Sequence, residues 1–152
     1  MPIVAEESPL QPEIASLLRQ SDALAAELYP GEYRRAIVPE TLSAPGITVF
    51  VARIEGLAAG CCVLLDGGDG TAELKRMIVA AHFRRRGVGA LLLDAAEAAA
   101  SARGIDAIRL EVGVRNGDGY ALYRRAGYVE RGPFGAYEPS PISRFLEKKL
   151  GQ

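Results

Sequence analysis

The stretch Val79-Ala80-Ala81-His82-Phe83-Arg84-Arg85-Arg86-Gly87-Val88-Gly89-Ala90 concentrates residue types that can hold an anion. Three consecutive arginines run into two glycines one residue apart, and a segment of helical period starts at Val88. Glycine lets the backbone come close to a ligand. The first turn of a helix leaves amide hydrogens without intrahelical partners, and that end of the helix dipole is positive. Such a stretch can cradle a pyrophosphate. The same residues also read as a surface arginine cluster beside a helix start. A P-loop would need a Gly-Lys-Ser/Thr ending, and a dinucleotide fingerprint would need glycine or alanine where Leu92 stands, so neither nucleotide motif fits. What remains is the pattern Arg84-x-x-Gly87-x-Gly89.

A cradle of this kind needs a strand before it and a helix after it. Ala72 to Val79 reads as the strand, and Val88, Leu91, Leu92, Ala95, Ala96 and Ala99 repeat at helical spacing until Gly104 supplies a stop. Upstream, Ile47 to Ala52 and Leu57 to Leu65 form a hairpin across Glu55-Gly56. The Asp66-to-Gly70 turn then leads into the third antiparallel strand. Residues 11–29 place Ile14, Leu17, Leu18, Leu24 and Leu28 three and four apart, which predicts one or two amphipathic helices closed by Pro30-Gly31. Downstream, Ile108 to Val112 alternates as a strand. Asn116 or Asp118 can cap a helix running to about Ala126, with Gly127 at its carboxyl end. Tyr128 to Arg131 and Phe145 to Leu150 close the chain as two strands. The expected architecture is a single domain over residues 1–152 of α/β (α+β) class. One mixed, mostly antiparallel sheet carries helices on both faces, in the order β(αα)βββαβαββ.

Composition removes other classes. The chain has 152 residues, 49% of them hydrophobic and 24% charged, which suits one globular core and excludes a disordered or collagenous chain. The formal net charge of -1 offers no global positive field, so a nucleic-acid partner is not expected despite Arg84-Arg85-Arg86 and Arg124-Arg125. No stretch approaches the roughly 20 apolar residues of a membrane span. The amino terminus lacks the pattern of a signal peptide, and the expected location is cytoplasmic. Cys61 and Cys62 are the only cysteines and adjacent, which excludes a disulfide framework; they are expected to be one buried and one outward-facing strand residue. His82 is the only histidine, so no metal site is expected.

Arg84, Gly87 and Gly89 fill an R/Q-x-x-G-x-G/A pattern, preceded by the strand Glu73-Leu74-Lys75-Arg76-Met77-Ile78-Val79. Asn116, Gly119, Leu122, Tyr123 and the ending Arg125-Ala126-Gly127-Tyr128 follow the pattern N-x-x-A-x-x-L-Y-x-x-x-G-F, with glycine for alanine and tyrosine for phenylalanine. With these two segments the chain resembles the GNAT superfamily of acyl-CoA-dependent N-acetyltransferases, small bacterial type, over about residues 47–150. Ala81 stands where that family commonly has proline.

The resemblance implies a function and a division of labour. The expected activity is transfer of the acetyl group of acetyl-CoA to a primary amine of a small molecule or peptide, by direct attack in a ternary complex. A catalytically weak acyl-CoA-binding regulatory module is the alternative. A bulge is expected to splay the fourth strand from the fifth, so that Met77, Ile78 and Val79 meet the pantetheine arm through their backbone. The amide near Val79 would face the thioester oxygen. Arg84, Arg85, Arg86, Gly87, Val88, Gly89 and Ala90 would hold the pyrophosphate. Asn116 and Tyr123 complete the cofactor side, Tyr123 falling on the tyrosine that serves the departing thiolate. An alkylammonium, with a pKa near 10.4, must lose a proton before it attacks. Glu73 takes the place of the family's basic glutamate, with Glu111 on the neighbouring strand as substitute. Tyr29, Tyr33, Arg34, Arg35, Phe134 and Tyr137 suggest a small amine bearing a carboxylate or phosphate. A homodimer paired through exposed strand edges is a further expectation.

Overall fold

Alternation along the central strands divides the buried side chains between two layers. Phe50, Ala52, Cys62 and Leu64 join one hydrophobic cluster, while Val49, Val51, Cys61 and Val63 join another. A sheet buried on both faces needs helices on both, and the computed structural model, which describes residues 1–29 and 39–151, supplies them. The strands are β1 (Ile3–Glu6), β2 (Ile47–Ile54), β3 (Leu57–Asp66), β4 (Thr71–Val79), β5 (Ala107–Gly113), β6 (Val129–Arg131) and β7 (Ser143–Lys149). They lie in the order β1-β2-β3-β4-β5-β7-β6. β4–β5 is the parallel pair and the others are antiparallel.

Helix α1 (Pro12–Leu28) covers one face through Ile14, Leu17 and Leu18, its first turn favoured by the fixed φ of Pro12. Helices α2 (Val88–Ala102) and α3 (Gly117–Arg125) cover the other. The buried face of α2 is Val88, Gly89, Leu92, Leu93, Ala96 and Ala100; Leu91, expected in that stripe, is partly exposed. The expected one or two helices over residues 11–29 are a single helix, α1, among the described residues, and a 3-10 turn follows at Pro39–Ser43. Pro30, Gly31, Tyr33, Arg34 and Arg35 lie outside the described residues. No helix of the described residues is long and apolar enough to cross a membrane.

The cysteine expectation is corrected. Cys61 and Cys62 point to opposite faces, but both are fully buried because both faces are covered. Burial pushes the Cys61 thiol up to about 12 and Cys62 further still, so neither is a thiolate near neutral pH.

Two contacts hold the site's supports in place. A Cβ on Gly60 would stand 2.7 Å from the Ile78 carbonyl oxygen and 3.2 Å from Val88, so β3, β4 and the start of α2 meet at a point where only hydrogen fits. Gly60→Ala is expected to cost about 1–3 kcal/mol, the range for overpacking. A thermal melt should show the loss as a drop of several degrees. Arg53 of β2 donates from Nε to Glu7 at 2.9 Å and from Nη2 to Glu7, Gln11 and Glu13, tying the sheet to the entry of α1. The Arg53 hydrogen bond holds the Glu7 carboxyl below its ordinary value of 4.5, against the opposing effect of its burial. A depressed carboxylate stabilises the fold above its unfolded pKa and loses that contribution as pH falls through the folded one. Arg53→Leu should therefore lower the denaturation midpoint at pH 7 and lose less than wild type between pH 5 and about pH 3.

Candidate active site

Pairing between β4 and β5 stops early. The register runs from Thr71↔Ala107 to Leu74↔Leu110, yet β4 continues to Val79 and β5 to Gly113. The cause lies in β4: Val63 pairs with Lys75 but Cys61 with Ile78, so Arg76 and Met77 oppose Cys62 together. Arg76 has φ +55, a left-handed conformation that bends the strand at this bulge. Face parity changes there. Ala72 and Leu74 face α2, and after the bulge Met77 and Val79 do, with Ile78 turned to α1. The Ala80 N–H donates to the Ala59 oxygen at 2.8 Å, so alternation turns the Val79 N–H the other way, into the gap.

A cleft of about 170 Å³ occupies this gap and reaches through the sheet. Leu24, Leu28 and Tyr29 line one end, Arg76, Met77 and Glu111 the strands, and Asn116 and Tyr123 the other end. Tyr123 is buried, and its hydroxyl makes no hydrogen bond within the described residues. Burial, with Cys62 adding a smaller effect, holds that hydroxyl protonated well above the usual tyrosine value. It is a donor aimed at a cleft. Asn116 caps α3 by accepting from the Gly119 N–H at 3.0 Å, which settles the choice between Asn116 and Asp118. Its amide side chain is thus partly spent on the helix.

The arginine–glycine stretch follows β4 as a 3-10 turn (Ala81–Phe83) and then the start of α2. Gly87 is the residue before that helix, at φ +77, with nothing within 4 Å of where a Cβ would stand. No side chain caps α2, so its first amides are available. The two glycines differ. A Cβ on Gly89 would lie 2.9 Å from Leu122 of α3, so the missing side chain lets the two helices pack closely. The Val88 side chain is buried in the core, leaving only its backbone toward the cradle, while Ala90 is exposed. Arg84 donates from Nε to the Val79 oxygen at 3.2 Å, and the Arg86 guanidinium lies 5.5 Å from the Phe83 ring. These two pin the loop, and all three arginines are exposed.

Glu73 sits one pair before the split, on the α1 face. Its Oε2 accepts from the Tyr137 hydroxyl at 2.5 Å and lies 3.9 Å from the Lys75 ammonium. Glu111, past the split on β5, accepts from the Ser143 hydroxyl at 2.5 Å.

The sequence matches the model of the GNAT acetyltransferase family over residues 14–128. The chain belongs to that family. It is 40% identical to an IAA acetyltransferase of Azospirillum brasilense over 148 residues, 97% of each chain. It is 34% identical to an uncharacterized N-acetyltransferase of Escherichia coli over 141 residues, 90% of this chain and 82% of that one. Among solved structures, a Klebsiella pneumoniae chain described as an acyl-CoA N-acyltransferase superposes with TM-score 0.85 at 30% identity, over 99% of both chains. A Thermoplasma acidophilum PaiA N-acetyltransferase in complex with coenzyme A shares the fold, with TM-score 0.78 at 22% identity over 98% of this chain and 99% of that one.

A GNAT acetyltransferase needs room for coenzyme A, and these residues fit it. Open space at Gly87, uncapped amides at α2 and exposed arginines suit a pyrophosphate, and the unpaired edge of β4 suits an amide-bearing arm. Among the described residues no group of three or more His, Cys, Asp or Glu side chains is arranged to hold a metal. Sequence reading missed how the α1 face is tied together. Tyr137 reaches Glu73 across 64 positions and Ser143 reaches Glu111 across 32. Tyr29 packs so closely on Gly113 that a Cβ there would meet its hydroxyl at 1.7 Å, and that hydroxyl accepts from the Arg115 N–H. Only the absence of a side chain at Gly113 signalled such a contact.

Proposed function

We propose that the protein transfers the acetyl group of acetyl-CoA to a primary amine by direct attack within a ternary complex. The observation that carries this is the cleft between β4 and β5, lined by the protonated Tyr123 from α3 and by Glu111 from β5, with Glu73 on β4 one pair before the strands part. Bound acetyl-CoA supplies an activated thioester. The amides at the start of α2 with Arg84, Arg85 and Arg86 hold the pyrophosphate, and the backbone of Met77, Ile78 and Val79 aligns the arm. The Val79 N–H stabilises charge developing on the carbonyl oxygen, an arrangement whose loss in other enzymes costs about 10²–10³ in rate. Tyr123 donates a hydrogen bond to the departing sulfur. Glu73, on the opposite face, takes the proton of the amine.

In this reading the enzyme works in the cytoplasm, needs no metal and no nucleic-acid partner, and its acceptor is a small amine or a peptide amino group. Acceptors are tested by following free thiol with spermidine, phenethylamine, lysine and an alanyl peptide, each with acetyl-CoA. Turnover with at least one amine, and none when the amine is left out, is the expected result. Tight binding of acetyl-CoA without thiol release from any amine would instead support the regulatory binding module.

A further inference from the structure

We infer that Tyr137 is a positioning residue: its hydroxyl holds one oxygen of Glu73 so that the other stays turned to the acceptor amine. This rests on the role of Glu73 as base. Both contacts of the carboxylate fall on Oε2, from Tyr137 at 2.5 Å and from Lys75 at 3.9 Å, and among the described residues Oε1 accepts no hydrogen bond. A base needs one oxygen free and a fixed orientation, and this arrangement supplies both.

The tyrosine is itself held. Its N–H donates to the Phe134 oxygen at 3.0 Å, closing a turn in the β6–β7 loop. Its ring packs 5.0 Å from Phe134 and 5.4 Å from Phe145, and Phe145 is buried on β7. The hydroxyl therefore reaches Glu73 from a wall built on the sheet rather than from a loose loop tip. Among the described residues, neighbouring charges on this face have other partners. Arg109, opposite Glu73 in the sheet, pairs with Glu147 at 2.7 Å; Arg76 lies 3.5 Å from Asp22 of α1; and Glu111 accepts from Ser143. The Lys75 ammonium, at 3.9 Å, is beyond hydrogen-bond distance of the carboxylate.

The test uses Tyr137→Phe, which keeps the aromatic wall, with Glu73→Gln and the double variant, assayed with acetyl-CoA and the fastest amine of the panel above. Tyr137→Phe is expected to lower kcat about tenfold, the scale of one hydrogen bond to a charged group, with KM for acetyl-CoA and Tm unchanged. The double variant should lose no more than Glu73→Gln alone. An unchanged kcat in Tyr137→Phe, with Glu73→Gln inactive, would overturn the positioning role and leave the base intact. An active Glu73→Gln would remove the base and this inference with it. A loss that persists on top of Glu73→Gln, or comes with a lower Tm, would make Tyr137 merely structural.

Discussion

Replacement of Glu73 by glutamine is expected to lower kcat by about 10²–10⁴, the range for losing a general base. Glutamine keeps the size and can still accept from Tyr137, so folding and acetyl-CoA binding should be near wild type. The loss should shrink as pH is raised toward the pKa of the acceptor ammonium, near 10.4 for an alkylamine, because more acceptor then arrives neutral. Steady-state rates between pH 7 and about pH 10 measure this directly. A uniform loss at all pH values would point to a binding role for the carboxylate. Glu111 gives the internal comparison: it lies beyond the split and is exposed, so Glu111→Gln should reproduce the effect only if it, and not Glu73, takes the proton.

Tyr123→Phe should cost about 1.5–3 kcal/mol of transition-state stabilisation, the value of a hydrogen bond to a charged group, or about 10- to 150-fold in kcat. Because burial keeps this hydroxyl protonated, the role proposed for it is to donate a hydrogen bond to the sulfur rather than to surrender its proton. The Phe ring retains the edge contact with Tyr128, 5.9 Å between centroids, and no hydrogen bond among the described residues is lost. Stability should therefore hold. Presteady-state measurement of thiol release at saturating substrates separates the chemical step from product release. An unchanged rate of that step would remove Tyr123 from the mechanism.

The two halves of the site differ in how far they could be read from the chain. The cradle is local: a strand, a turn, Gly87 and a helix start occupy one continuous segment, so spacing alone exposes it. The bulge at Arg76 was legible only through the family resemblance, since nothing in Lys75-Arg76-Met77 announces a positive φ at an arginine. Gly87 and Gly89 look alike in sequence, although one takes a left-handed turn and the other lets α2 pack closely on Leu122. The cysteine pair was misread because alternation identifies opposite faces without saying that both are covered. The α1 face was the least legible part. Glu73, Tyr137, Glu111 and Ser143 come from three strands and a loop, and their contacts depend on a register that no local pattern encodes.

The central claim is that the gap between β4 and β5, with the start of α2, holds acetyl-CoA. The most direct measurement is a thermal shift with acetyl-CoA, free CoA and NADH in parallel, on wild type and on Gly87→Val, which places a side chain in the open space of the cradle. Ligand at a hundredfold excess over its Kd adds about 2.7 kcal/mol, roughly 5–10 °C at this chain length. The account predicts that shift with both CoA species in wild type, none with NADH, and its loss in Gly87→Val. No shift with either CoA species, or an equal shift in Gly87→Val, would contradict it.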